Sequence, residues 1–509
     1  MGANVSDYLT AQASARPQAS ALVVGATRWT WADLDDAVDA AAAGFASMAQ
    51  PGDRVGLVLG NRPEFLLAYF GALRAGLVAV PLNPGFTAIE VATCLGDAGV
   101  ALVVCDRDTA PTVRAASLDV PLLVAGRDSS GEGRFEDLLA AGRRRPGHAA
   151  REVTSPRDGL AVVLYTSGTT GTPRGAMLTH AAMRASIEQV AAAREGGVGE
   201  PLMRADDTVL LVLPLAHVYS LNGTVGAWIR TGSTLVLGDR TEPDAVLRLV
   251  ALHHVTNLPA APPLWRAWAA GGELATVAPG LRVMFSGAAP LPTDVMQRVI
   301  ALTGRVVYDG YGLTEAAPGV CSTFCSVTPK PGSVGRPFPG VEVALRDERG
   351  GESVVGDPGE IWLRGPNLFS GFWPDGADGP DEDGWYATGD VAYRDDDGDL
   401  FLVDRRKELV IVNGFNVYPR EVEQALLSHP DVAEAAVVGV PDERTGEAVK
   451  AFVVLAPGVS ASAAEVDAVR EHVAERLARF KRPRDLEVVA TLPHSATGKV
   501  AKARLREDG

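Results

Sequence analysis

The stretch YTSGTTGTPRG, Tyr165 to Gly175, follows the apolar run LAVVL at 160–164 and precedes the helix-like THAAMRASIEQVAAA. Glycines let a backbone turn its N–H groups toward an anion, and Thr166, Ser167, Gly168, Thr169, Thr170 and Gly171 supply that freedom together with hydroxyl donors. A helix starting just beyond would add its dipole. The pattern therefore suits phosphate, although an ordinary Gly/Thr turn explains the stretch taken alone. The motif G-x-x-x-x-G-K-[ST] is excluded, because Pro173, Arg174 and Gly175 stand where a lysine and a hydroxyl residue are required. If the loop serves nucleotide chemistry, its principal cation lies elsewhere in the chain.

Outward from the loop, β-branched runs alternate with Ala- and Leu-rich helical patterns: DRVGLVLG, EFLLAYFGALRAG, LVAVPLNP, a further helix, then VALVVCD. That order predicts βαβ units around a covered parallel sheet, an α/β fold. The alternation returns through residues 205–310, as in TVLLVLPL, STLVLGD and LRVMFSG. Over 335–403 the texture changes to short strands with Gly and Asp turns, such as GEIWLRG and GDLFLVD, which predicts a small β-rich subdomain. PDGADGPDEDG, 374–384, reads as an exposed acidic loop. The remainder is a compact α/β stretch with helices near 419–428 and 463–479. The boundaries expected are a large domain 1–403, a junction at 404–407 and a small domain 408–509.

A chain of 509 residues exceeds a single core, so two or more domains are required. Its net charge of −16 argues against a nucleic-acid backbone as the main partner. Cys94, Cys105, Cys321 and Cys325 lack metal or disulfide spacing, which fits a reducing cytoplasm. No basic leader and no apolar run approaching the ~20 residues of a spanning helix is read in the sequence.

Two further stretches could carry chemistry. YDGYGLTE, 308–315, joins a glycine-rich turn to Thr314 and Glu315, a hydroxyl and a carboxylate suited to phosphate and Mg²⁺. WYATGD, 385–390, ends in Asp390, which could accept from a ribose diol. A surface turn accounts for either one alone.

Their joint order resembles one superfamily, the adenylate-forming enzymes: acyl-CoA synthetases, luciferases and peptide-synthetase adenylation domains. The resemblance runs from LRAGLVAVPLNP (73–84) through YTSGTTGTPRG, YGLTE, GEIWLRGPN, YATGD and VDRRKELVIVNGFNVYPREVE to LPHSATGK, nearly the whole chain. It implies that the loop holds the β- and γ-phosphates of ATP, Thr314 contacts the α-phosphate and Glu315 holds Mg²⁺. Ser286, Gly287, Ala288, Gly310 and Tyr311 would wall the adenine slot, and Asp390 with Arg405 would bind ribose. Arg174 replaces the more usual lysine, exchanging a compact ammonium for a planar fork.

The resemblance also makes Lys499, otherwise an ordinary surface lysine, the cation that reaches carboxylate and α-phosphate during adenylation. Lys407 matches the hinge about which the small, mobile domain turns, and Gly414 with Phe415 match the segment that then lines the pantetheine tunnel.

His217 in LPLAHVYSLNG would lie beside the substrate carboxylate, with Val218, Tyr219, Asn222 and Ala260 around the acyl group. No aspartate occurs between Pro214 and Gly223 to pair an α-ammonium, so a fatty or aryl acid is expected. The hinge block is more similar to that of fatty-acyl ligases than to that of peptide synthetases. The expectation is an AMP-forming acyl-CoA ligase using ATP, Mg²⁺ and CoA, with no nucleic acid or integral membrane segment. An acyl-AMP ligase loading an acyl carrier protein, a non-catalytic acyl- or nucleotide-binding relative and a luciferase-type oxygenase remain the alternatives.

Overall fold

The computed structural model describes residues 4–126, 133–144, 159–166, 173–239, 242–347, 349–405, 408, 410–412, 415–442, 446–477, 479–494 and 500–507. By its packing the chain divides into two compact units, 1–342 with 364–386, and 343–363 with 387–509.

The first unit is built on two seven-stranded sheets. One runs Gly133–Arg134, Leu122–Ala125, Leu102–Asp106, Arg54–Val58, Val78–Pro81, Leu160–Thr166, Arg174–Thr179. Every neighbouring pair is parallel except the last, which is antiparallel. The other runs Val307–Tyr308, Val283–Ser286, Asn257–Ala260, Thr208–Leu211, Thr234–Leu237, Ser20–Val24, Thr27–Thr30, again parallel but for its final hairpin. Strands such as LVVCD bury all their residues because helices cover both faces, which is why they read as unbroken apolar runs.

One core joins the inner faces of both sheets through the helices Trp31–Phe45 and Pro63–Arg74. The second of these is buried from Phe65 to Arg74, as a helix between two sheets must be. Trp31 stacks on Trp228 with ring centroids 5.1 Å apart, and Trp228 Nε1 donates to Ala21 O at 3.0 Å. Two further cores cover the outer faces, one with Pro243–Leu252, Pro262–Gly271 and Thr293–Thr303, the other with Ala88–Ala98 and Ala110–Ala115. The result is a five-layer α/β/α/β/α unit.

The second unit holds most of a four-stranded sheet, Glu342–Arg346, Gly359–Arg364, Trp385–Arg394, Leu400–Arg405. It also contains a five-stranded sheet whose long hairpin pairs Val432–Asp442 with Gly446–Leu455. Helices Pro419–Leu427 and Ala463–Arg476 flank the latter, close to the expected spans. The second helix ends a turn early because Leu477 adopts extended backbone angles, φ −119° and ψ 143°. The β-rich segment expected with the N-terminal domain is thus divided, 343–363 and 387–403 packing with the C-terminal part and 335–342 and 364–386 with the N-terminal part.

Candidate active site

In the first unit, the predicted segments leave the carboxyl ends of strands that run parallel in their sheets, the usual ligand side of an open α/β sheet. Residues 213–219 follow Thr208–Leu211, Ala260 ends Asn257–Ala260, and Ser286 ends Val283–Ser286 with Gly287 and Ala288 just beyond it. Residues 309–315 follow Val307–Tyr308, and the glycine-rich stretch follows Leu160–Thr166. Ser167, Gly168, Thr169, Thr170 and Gly171 lie outside the described residues. The stem of that stretch is described: Thr166 pairs with Arg174, and Tyr165 with Gly175.

Arg174 is engaged at this stem. Its Nη2 lies 2.7 Å from Asp378 Oδ2, and its guanidinium sits 3.8 Å above the Phe372 ring. A lysine could reproduce the charge but not the stacked planar fork. The acidic loop 374–384 therefore supplies a partner to the stem. The backbone alongside is pinned too, with Trp373 N donating to Gly175 O at 2.8 Å and Met177 N to Gly371 O at 3.1 Å.

Thr314 and Glu315 sit on a one-turn 3₁₀ helix, Thr314–Ala316, whose carbonyls are taken one after another. Phe369 N donates to Glu315 O at 2.8 Å, and Asn367 Nδ2 to Ala316 O at 2.8 Å. Asn222 Nδ2 donates to Ala317 O at 2.6 Å. Ala317 has φ +59°, a left-handed conformation that a non-glycine residue adopts at a cost of about 1–2 kcal/mol. Gly312 has no alternative, since a Cβ there would fall 2.3 Å from Pro318 O. Among the described residues no three metal-ligating side chains cluster. The Glu315 carboxylate is chemically suited to Mg²⁺, which commonly takes one or two protein carboxylates and completes its shell with substrate phosphates and water.

The expected adenine walls pack around Tyr219. Ala288 has φ +69°. A Cβ on Gly287 would fall 3.0 Å from Cε1 and Cζ of Tyr219, so that ring lies directly against the glycine backbone. A Cβ on Gly310 would meet Phe285 Cζ at 3.1 Å, and Phe285 packs on Tyr219 with centroids 6.2 Å apart. Gly310 and Tyr311 pair with Ser322 and Cys321. Burial, then the charge of Asp309, pushes the Tyr219 phenol far above its ordinary value, so it stays protonated. Its hydroxyl and Ser286 Oγ are buried and unpartnered among the described residues. Ala260 joins this wall, accepting from Gly287 N at 3.3 Å.

His217 introduces a π-helical turn, Tyr219–Thr224, that carries Tyr219 and Asn222; such turns are frequent at functional sites. Tyr219 N donates to His217 Nδ1 at 3.3 Å, which puts the proton of the neutral ring on Nε2. Val218 is buried beside it.

Three residues without an assigned role in the sequence reading hold this site together. Buried Asp309 accepts from Leu291 N at 3.0 Å and from Gly310 N at 2.9 Å, clamping the two segments expected to wall the adenine slot. Asn61 accepts from Leu215 N and donates to Leu213 O, both at 2.9 Å. Asn367 locks the Glu315 turn. The sequence offered one signal, a carboxylate inside the apolar, glycine-rich YDGYG.

In the second unit Asp390 and Arg405 stand opposite one another on antiparallel strands. Phe415 begins the strand Phe415–Val417. Lys407, Gly414 and Lys499 lie outside the described residues.

Residues 9–373 match the AMP-binding enzyme family and 421–499 its C-terminal domain. The long-chain-fatty-acid–CoA ligase of Bacillus subtilis (strain 168) is 32% identical over 98% of this chain and 93% of its own. A feruloyl-CoA synthase of Amycolatopsis sp is 35% identical over 96% of both. Among solved structures, ATP-bound MatB from Rhodopseudomonas palustris superposes with a TM-score of 0.90 at 31% identity, covering 100% of this chain and 99% of that one. With both domain families matched in order and the fold shared end to end, the chain belongs to the AMP-binding, adenylate-forming enzymes, among their acid–thiol ligases.

Proposed function

We propose that the protein is an ATP-dependent acyl-CoA ligase acting on a carboxylic acid without an α-ammonium group, a fatty or an aryl acid. The observation that carries the reading is the locked turn of Thr314 and Glu315, held through three successive carbonyls next to the stem of the glycine-rich stretch. Fixed donors and charges at the place where phosphoryl charge develops are what such a reaction requires.

A carboxylate oxygen attacks the α-phosphorus of ATP, the bond to the bridging oxygen breaks, and pyrophosphate leaves. Residues 166–171 and Arg174 grip the departing pyrophosphate, while Thr314 contacts the α-phosphate. Glu315 would hold Mg²⁺, which when bound neutralises phosphate charge. Gly287, Ala288, Gly310 and Tyr311 line the adenine slot, and Asp390 and Arg405 take the ribose. His217, with its Nε2 proton, orients the acid; Val218, Tyr219, Asn222 and Ala260 surround its acyl part. Lys499 stabilises the developing phosphoryl charge.

The thiol of CoA then attacks the acyl carbon, AMP leaves, and the thiol proton passes to solvent. For that step the small domain turns at Lys407 within 404–407, withdrawing Lys499 and bringing Gly414 and Phe415 to the pantetheine. A fixed cation serves the first step and obstructs the second, which is the chemical reason for a mobile domain.

Among the described residues no helix is long and apolar enough to cross a membrane. A cytoplasmic setting goes with the proposal, supported by four free cysteines. The test is a panel of fatty and aryl acids assayed for pyrophosphate release and for thioester with free CoA. Acid-dependent pyrophosphate release with thioester on CoA is the expected result. Transfer to a carrier-protein phosphopantetheine but none to CoA would overturn the acceptor, and no acid-dependent pyrophosphate would overturn the reading.

A further inference from the structure

The residues flanking 495–499 are held on both sides. His494 and Val500 pair as an antiparallel bridge, and Ala501 N donates to Pro493 O at 2.7 Å. On the incoming side, His494 Nε2 lies 3.3 Å from Glu434 Oε2 at the surface. The outgoing side carries a stronger anchor. Lys502 Nζ lies 2.9 Å from Glu408 Oε2 and 2.8 Å from Glu423 Oε1, with its side chain only 15% exposed.

These partners come from different elements. Glu408 immediately follows Lys407 and precedes the strand Val410–Val412. Glu423 lies on the helix Pro419–Leu427, where its Oε1 also accepts from Val437 N at 2.8 Å. Lys502 opens the helix Lys502–Glu507. One ammonium thus joins the start of the last helix to the residue beside the proposed hinge and to a helix of the same unit. Removing it would leave two largely buried carboxylates facing each other, a strongly unfavourable arrangement.

We propose that Lys502 is a positioning residue for adenylation. Its pairs with Glu408 and Glu423 hold the chain three positions beyond Lys499, and so set where the Lys499 ammonium is presented. This rests on the reading of Lys499 as the adenylation lysine. Lys502 acts through Lys499 rather than on the substrate, since its own charge is spent on two carboxylates.

The experiment compares Lys502→Met, Lys502→Arg, Lys499→Ala and the double variant Lys499→Ala/Lys502→Met in the full chain. Pyrophosphate release, thioester formation from supplied acyl-AMP, and thermal melting are measured for each. Lys502→Met lowers kcat for pyrophosphate release about 10- to 100-fold, as small misplacements of a reacting group do, with KM for ATP unchanged. Thioester formation persists, and Lys502→Arg restores most of the first step. In the Lys499→Ala background Lys502→Met has no further effect, because the two act as a unit. An undiminished first step in Lys502→Met, a further loss in the double variant, or equal loss in both half-reactions with a lowered melting temperature would overturn the inference while leaving Lys499 in its role. Full adenylation by Lys499→Ala would instead remove the reading beneath it.

Discussion

Asn222 donates from Nδ2 to the Ala317 carbonyl at 2.6 Å, tying the π-helical turn Tyr219–Thr224 to the turn of Thr314 and Glu315 across 95 residues of sequence. The same nitrogen donates to Met183 O at 3.1 Å. Asn222→Leu leaves two carbonyls without this donor, which costs about 1–3 kcal/mol for a buried unpaired group. The expected outcome is a lower melting temperature together with slower pyrophosphate release. A variant that melts lower yet adenylates at the parent rate would show that the tie serves stability alone.

Tyr219 and Gly287 make a second pair with opposite expectations. Tyr219→Phe removes a hydroxyl that has no partner among the described residues, so stability is unchanged or rises. If that hydroxyl meets the acid, KM for the acid rises while KM for ATP does not. Gly287→Ala pushes a methyl group into the Tyr219 ring and costs about 1–3 kcal/mol by overpacking. Its signature is weakened use of acid and ATP together, read from initial rates at varied concentrations of each.

The α/β class and the alternation of strands and helices were legible because each is written in contiguous residues. Val and Leu runs mark buried parallel strands. The ties between loops were not legible. Asn222 to Ala317, Asn61 to Leu213 and Asp309 to Leu291 join positions whose proximity follows only from strand order. The π-helical turn has no periodicity of its own in LPLAHVYSLNG. Packing of the 343–363 and 387–403 segments with the C-terminal part was likewise invisible, because composition changes there without a break in strand pattern.

Arg174 is exposed enough, at 38%, that its pair with Asp378 contributes only about 0.2–1 kcal/mol. Arg174→Ala is expected to leave the melting temperature almost unchanged and to raise KM for ATP without abolishing adenylation. Complete loss of adenylation with the fold intact would promote Arg174 from auxiliary to essential cation.

His180 links acid stability to the N-terminal segment. Val5 N donates to its Nδ1 at 3.2 Å, and burial, then the neighbouring Arg184 charge, lowers its pKa to about 4. The unfolded chain takes up this proton near pH 6.5 and the folded chain only near 4, so stability falls as pH drops through that window, by up to about 3 kcal/mol. Below it the contribution is constant. His180→Gln should flatten the difference curve between pH 6.5 and about 4 in melting experiments. An identical pH dependence in both proteins would assign the effect to other groups.

The proposed function divides the labour between residues 166–171, which would grip phosphate, and Lys499, which would be delivered for adenylation. The most direct measurement takes Lys499→Ala through the two half-reactions separately. The account predicts that acyl-AMP formation falls about 100- to 1,000-fold, the usual cost of losing a transition-state donor, while thioester formation from supplied acyl-AMP and CoA is retained. Equal loss in both steps, or unchanged acyl-AMP formation, would contradict it.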